Sequence, residues 1–356
     1  MKKKIGSAVI AASLLFTAIP SSSLVFASSV QQQTIYSVQS NFAKEFGINV
    51  KSVSSPIVYD LNNDGDGEFI VTAKSSNDMG NFIGYIGVYS KNGKKIVTKN
   101  VEDDGVIGIA RIKNSTYKNS LAIIRGGGSG GVSVEVAILK NGVLQSLLVT
   151  EANNRDEAII KDSDKDGSDE IYGYQYYLAP ETQVLNKADG IYDKFVYKWD
   201  SSKKKYTKLV YGQDGIREDQ RKKVETITSQ EALTLLNKAR TTQLSIKTPM
   251  DLSSFKKKME SLFTYNYLYR LQSKGLAYTS TGLVVPNYLI SDNYSSLVPE
   301  FNSKKKATFK LTADKQSATV TQTIQEDFEG EVYSTTYKAT LLKTKYGWKV
   351  EGFSVN

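Results

Sequence analysis

The chain has 356 residues, 46 Lys and Arg against 37 Asp and Glu, a formal net charge of +9, and neither cysteine nor histidine. The two absences exclude disulfides, thiolate nucleophiles, zinc–sulfur sites and every Ser-His-Asp or Cys-His arrangement, so catalysis would have to rest on carboxylates, lysine or tyrosine. The length accommodates two domains, and the lysine excess reads first as a solvated surface and second as an affinity for anionic polymers or membrane surfaces.

The N-terminus has three parts. Lys2, Lys3 and Lys4 are followed by an apolar, small-residue run from Ile5 to Ile19, and Val25 and Ala27 precede Ser28. This is the layout of a secretory signal peptide cut after Ala27. A retained membrane anchor fits less well, because Gly6, Ser7, Ser13 and Thr17 interrupt the run and Pro20 ends it, short of the roughly 20 apolar residues a span requires. Nothing later is long and apolar enough to cross a membrane, so the mature chain, residues 28–356, is expected to be exported with no transmembrane segment.

Three stretches then look like copies of one unit. Ile57-Val58-Tyr59 and Phe69-Ile70-Val71 are apolar strands around an acidic loop, Asp60 to Glu68. Ala158-Ile159-Ile160 and Ile171-Tyr172-Gly173-Tyr174 flank a second such loop, Asp162 to Glu170. Between them, Ile107–Ile112 and Leu121–Ile124 flank Lys113–Asn119, which keeps the apolar borders without the acids. Glu68, Ser120 and Glu170 fall at steps of 52 and 50 residues, a period that marks propeller blades or a related β array. Each unit continues into further strands: Phe82–Tyr89 before Asn92-Gly93, Val132–Leu139 before Asn141-Gly142, and Phe195–Trp199 before Tyr206–Tyr211.

In each acidic loop, oxygen-bearing side chains occupy positions 1, 3, 5, 7 and 9 and glycine occupies position 6. They are Asp60, Asn62, Asp64, Asp66 and Glu68 in one, and Asp162, Asp164, Asp166, Ser168 and Glu170 in the other. Converging oxygens are what calcium takes, six to eight of them at about 2.3–2.6 Å, and the glycine permits the sharp turn between ligands. An EF-hand does not fit: position 12 is Val71 or Gly173 instead of glutamate, and the flanks read as strands instead of helices. Asx-rich turns without metal are the simpler alternative. The metal's role reads as structural, a staple for a disulfide-free chain. At about 1 mM calcium a site with a Kd of about 10 µM adds roughly 2.7 kcal/mol.

Gly127-Gly128-Ser129-Gly130-Gly131 fits a nucleophile-elbow pattern, but a strand follows where a helix is required and histidine is missing. A phosphate loop would need Gly-Lys-Ser/Thr, also missing. A hairpin or a close-packed loop accounts for the glycines.

The stretch 212–227 is charged and lacks an apolar face, and is read as a linker. Thr228 to Glu231 is a capping box opening a helix to about Arg240. The spacing of Leu252, Phe255, Met259, Leu262, Phe263 and Leu271 predicts one helix over 251–273. Strands at 307–312, 318–325, 332–342 and 348–355 complete an α+β domain, residues 228–356. The expected architecture is therefore a mainly β, propeller-like repeat domain over 28–211, closed or left as an open array of three units, followed by this α+β domain.

The acidic loops resemble the FG-GAP, or VCBS, calcium-loop repeats of integrin-type propellers, with pattern D-x-D/N-x-D-G-x-x-D/E before an apolar strand. Asp60, Asn62, Asp64 and Glu68 match it, as do Asp162, Asp164, Asp166 and Glu170, with Asp66 and Ser168 where the family offers a backbone carbonyl. The resemblance implies two structural calcium sites. The order of helices and long strands in the C-terminal half resembles the nuclear-transport-factor and ketosteroid-isomerase-like cone fold; no catalytic residue of that family maps onto this chain. The functional expectation is a secreted, calcium-binding, non-enzymatic binding or scaffolding protein of the bacterial cell envelope or extracellular space. Its partner is a wall polymer, polysaccharide or surface protein, and nothing supports nucleic-acid binding. The alternative is a carboxylate-dependent hydrolase of wall glycans or peptides, which a pocket holding two acids outside the loops would favour.

Overall fold

The structure is a computed structural model describing residues 29–76, 82–101, 105–126, 131–151, 158–183, 191–290, 296–328 and 331–356. The expected signal peptide and most of the glycine-rich run, 127–130, lie outside the described residues. The fold is mainly β, with four-stranded antiparallel sheets in both halves and helices gathered mostly in the second.

Three consecutive meanders form the first half. They are β1 (Ile57–Tyr59), β2 (Glu68–Ser76), β3 (Phe82–Tyr89) and β4 (Lys95–Val101); β5 (Val106–Ile112), β6 (Ser120–Gly126), β7 (Val132–Lys140) and β8 (Val143–Val149); and β9 (Ile159–Lys161), β10 (Glu170–Tyr176), β11 (Tyr192–Asp200) and β12 (Lys205–Tyr211). In each sheet the spatial order follows chain order, as in a propeller blade. The sheets stack face to face because both faces of the middle one are apolar. Ile70, Ile86 and Val88 of the first sheet share a core with Leu121, Ile123 and Leu139 of the second. On the other side Ala122, Val134 and Val136 pack on Ile171, Phe195 and Trp199 of the third. A Cβ at Gly173 would run into the Phe195 ring, so the third sheet's packing requires glycine there.

One element is not legible as a strand repeat. Helix α1 (Ser29–Phe46) lies over the free face of the first sheet, burying Val38 and Phe42 against Phe69, Val71 and Tyr89. Gly87 sits under the Phe42 ring, where a Cβ would come within 2.7 Å. The first half is thus three stacked four-stranded sheets plus a helical cap.

The α+β half contains α2 (Ser229–Leu244), α3 (Leu252–Met259), α4 (Tyr265–Lys274), a short hairpin of β13 (Leu276–Tyr278) and β14 (Val284–Pro286), and a sheet of β15 (Thr308–Leu311), β16 (Ser317–Phe328), β17 (Glu331–Thr344) and β18 (Gly347–Val355). The helix expected over 251–273 is two helices. Thr264 caps α4, its hydroxyl accepting from the Tyr267 N–H, while Leu262 and Thr264 exchange backbone hydrogen bonds with Val350 of β18. These bonds to the sheet replace helical ones, so an apolar period that runs through the break misplaces it. Phe255, Met259, Phe263 and Leu268 still face one core with Val320, Leu341 and Val350.

The charged stretch after β12 is anchored in place. Arg221 pairs with Asp214 at 2.7 Å and Glu218 at 3.1 Å. Lys345, in the β17–β18 turn, donates to Asp193 of β11 at 2.7 Å and to Glu218 at 3.1 Å. Among the described residues no helix is long and apolar enough to cross a membrane.

Candidate metal centre

Each acidic loop joins the first two strands of its sheet, and the two adopt the same backbone. Position 4 is left-handed in both, Asn63 at φ 62° and Lys165 at φ 62°, and position 6 is Gly65 at 92° and Gly167 at 86°. Side chains fold the loops inward. Asp60 Oδ2 accepts from the Gly65 N–H at 3.1 Å and Asp162 Oδ2 from the Gly167 N–H at 3.1 Å. Asn62 and Asp64 accept from the N–H two residues on, as do Asp164 and Asp166. At position 9, Glu68 Oε2 accepts from the Leu61 N–H at 2.7 Å and Glu170 Oε2 from the Ser163 N–H at 2.8 Å.

Asp162, Asp164, Asp166 and Glu170 each offer a carboxylate oxygen within 4.8 Å of the others, the one such group of three or more acids among the described residues. Glu170 is 3 % exposed, and its Oε1 is buried without a hydrogen-bond partner. Asp60 Oδ1 is in the same condition in the first loop. A buried carboxylate oxygen without a partner is costly unless a cation or a proton meets it. Burial accordingly pushes the carboxyls of Glu68 and Glu170 above the usual glutamate range. The donors are all oxygen, and two of the inner ones lack partners, which fits a hard cation.

The loops differ in what balances them. Lys198 of β11 pairs with Asp164 and, at 3.3 Å, with Asp166; the hydrogen bond from Lys198 holds the Asp164 carboxyl below its usual range. In the first loop Asn62 takes the place of an acid, its Nδ2 donating to Asp64 at 2.8 Å, and Asp66 pairs with Lys91 at 2.6 Å. The first loop's acids do not converge in the same way, and the position-7 side chains turn elsewhere: Asp66 to Lys91, while Ser168 accepts from the Ser115 N–H at 3.0 Å. The middle loop closes with neutral groups. Asn114 accepts from the Thr116 and Tyr117 N–H groups and donates to Ser120, which stands at the glutamate position.

The three loops also touch one another. Asn119 donates to Asn63 at 3.0 Å, and Lys113 and Asp169 exchange hydrogen bonds at 2.7 and 2.8 Å. Sequence reasoning found the loop residues but missed Lys198, Lys91 and this ladder, because none is local to the motif.

Two grooves lie among the described residues. One, of about 670 Å³, runs over the third sheet from Asp164 and Glu170 past Tyr172, Lys194 and Tyr211 to Gln213. The other, of about 530 Å³, lies in the α+β half between Arg240, Pro299, Glu300, Ile324 and Tyr337. The acids in the first groove belong to the loop, and the second holds one, Glu300. Comparison with family models and with curated proteins finds no match to this chain.

Proposed function

We propose that this is a secreted, calcium-stapled repeat protein whose work is binding or scaffolding at the bacterial cell envelope. The observation that carries the metal reading is the convergence of Asp162, Asp164, Asp166 and Glu170 around a buried, partnerless Glu170 oxygen. Calcium would be held by those four in the third sheet's loop, and by Asp60, Asn62, Asp64 and Glu68 in the first, with the backbone at Asp66 and Ser168 completing the sets. Its contribution would be to join the two ends of each loop, and so the first hairpin of each sheet.

The test is a thermal melt in EGTA and in millimolar calcium, beside a Glu68→Gln/Glu170→Gln variant. A calcium-specific rise of several degrees, lost in the variant, is expected. Equal melts with and without calcium would reduce the loops to acidic turns and reopen the hydrolase alternative.

A further inference from the structure

The outer face of the third sheet departs from a rule the first two obey. Counting from Glu68, Ser120 and Glu170, the next residue faces the preceding unit and the one after it faces the following unit. The following-unit positions are aliphatic in the first two sheets: Ile70, Ile86 and Val88, then Ala122, Val134 and Val136. In the third sheet they are Tyr172 and Tyr174, facing Val196 and Lys194 across the strand pair, with Tyr211 opposite Lys194 on β12. A face waiting for another blade would be aliphatic. This one carries phenols and ammonium groups.

We propose that this face is a cation-dependent groove for an acidic oligosaccharide. The inference names the ligand class of the binding role proposed above and rests on the calcium reading of the third loop. Tyr211 is half-buried in the groove wall, an aromatic surface with a hydroxyl, the pairing that a pyranose with its C–H face and hydroxyls satisfies; Tyr172 beside it donates its hydroxyl to the loop's Glu170 at 3.3 Å and so ties the groove to the loop. The groove's volume is within the range of small-ligand sites. It crosses the face of the sheet, whereas a peptide strand would add to an edge.

Charge selects the acidic sugar and explains the cation. Lys194 is exposed and Lys161 and Lys194 hold their ammonium groups 5.4 and 4.7 Å from the Tyr172 ring centre. With Lys198 they face four loop acids, so the loop end is net negative and repels a carboxylate. A divalent cation reverses that sign. It also takes over Asp164 and Asp166 from Lys198, whose side chain lines the same groove.

The experiment is calorimetric titration of the full chain with hyaluronan hexasaccharide, and with chitohexaose as the neutral counterpart, in millimolar calcium and in EGTA. Thermal melts are run on the same samples. The acidic sugar is expected to bind in calcium at least about tenfold more tightly than in EGTA, and about tenfold more tightly than the neutral one, a difference of about 1.4 kcal/mol. Lys194→Met/Tyr211→Ala should weaken it about tenfold, and Lys194→Met alone, an exposed change, gives the same direction if the double variant melts early. No binding in calcium, equal binding of chitohexaose, or indifference to Lys194 overturns the groove. Dimerisation that Lys194→Met abolishes also overturns it and assigns the face to a second copy. A calcium melt shift without sugar binding defeats the groove alone, whereas no melt shift defeats the calcium reading itself.

Discussion

The two ends of the blade stack are finished in different ways. At the first sheet, α1 takes the place of a preceding blade and Phe42 fills the space above Gly87. At the third sheet no element of the stack follows among the described residues, and the face changes from aliphatic to tyrosine and lysine. A repeated unit has two sticky faces, and its apolar surface must be covered or rewritten. This chain does one at each end. The end that is covered is a matter of stability, and the end that is rewritten is the one proposed above for recognition.

The sharpest way to break that contrast is at the covered end. Phe42→Ala should cost about 3–5 kcal/mol, read as a lower urea midpoint, whereas Tyr211→Ala on the open face should cost far less. Equal losses would mean that both ends are structural. The open end is instead held at its border by the α+β half. Lys345→Met leaves Asp193, 4 % exposed, without its ammonium partner, and should cost about 3 kcal/mol. Calorimetry would then show the two halves melting apart; a single unchanged transition would mean the joint contributes little.

A smaller effect separates the two acidic loops. Lys198 is a substitute cation for the third loop, so Lys198→Met should tighten calcium binding there by up to about fivefold, the scale of a surface ion pair. Lys91→Met should act less, because Lys91 meets only the outward Asp66. A calcium titration of each variant decides it. The mildest test is pH. Burial raises the Glu68 and Glu170 carboxyls, so the calcium-free folded chain binds more protons there than the unfolded one. That contribution to stability grows as pH falls and is lost as pH rises through the raised values. At the proposed sites protons and calcium would compete for the same oxygens. The calcium-induced gain in melting temperature should therefore be full near neutrality and shrink on acidification before the ordinary glutamate value of about 4.3 is reached. A gain that persists to that value would argue against these two carboxyls as ligands.

Much of this was legible in the residues. The alternation of oxygen donors with glycine at position 6 located both loops, and the structure gives them matching backbones because Asn63 and Lys165 stand at the left-handed position in each. The apolar borders and the period of about 50 residues located three equivalent sheets. The break at Thr264 was not legible, since the competing hydrogen bonds come from β18, far along the chain. Helix α1 was missed for a related reason: its apolar stripe is narrow, and only the free face of the first sheet makes sense of it.

Local chemistry, then, was determined by the sequence alone: which loops carry alternating oxygen donors, where strands alternate with turns, and that no thiol or imidazole chemistry is possible. Turn geometry and strand pattern depend on neighbours a few residues away, and the sequence displays those directly. Only the tertiary structure decided that Lys198 faces the third loop, that α1 closes the first sheet, and that Tyr172, Lys194 and Tyr211 share one open face. Those outcomes depend on which surfaces are left uncovered once the sheets have stacked, and burial of apolar area acts between segments that the sequence keeps far apart.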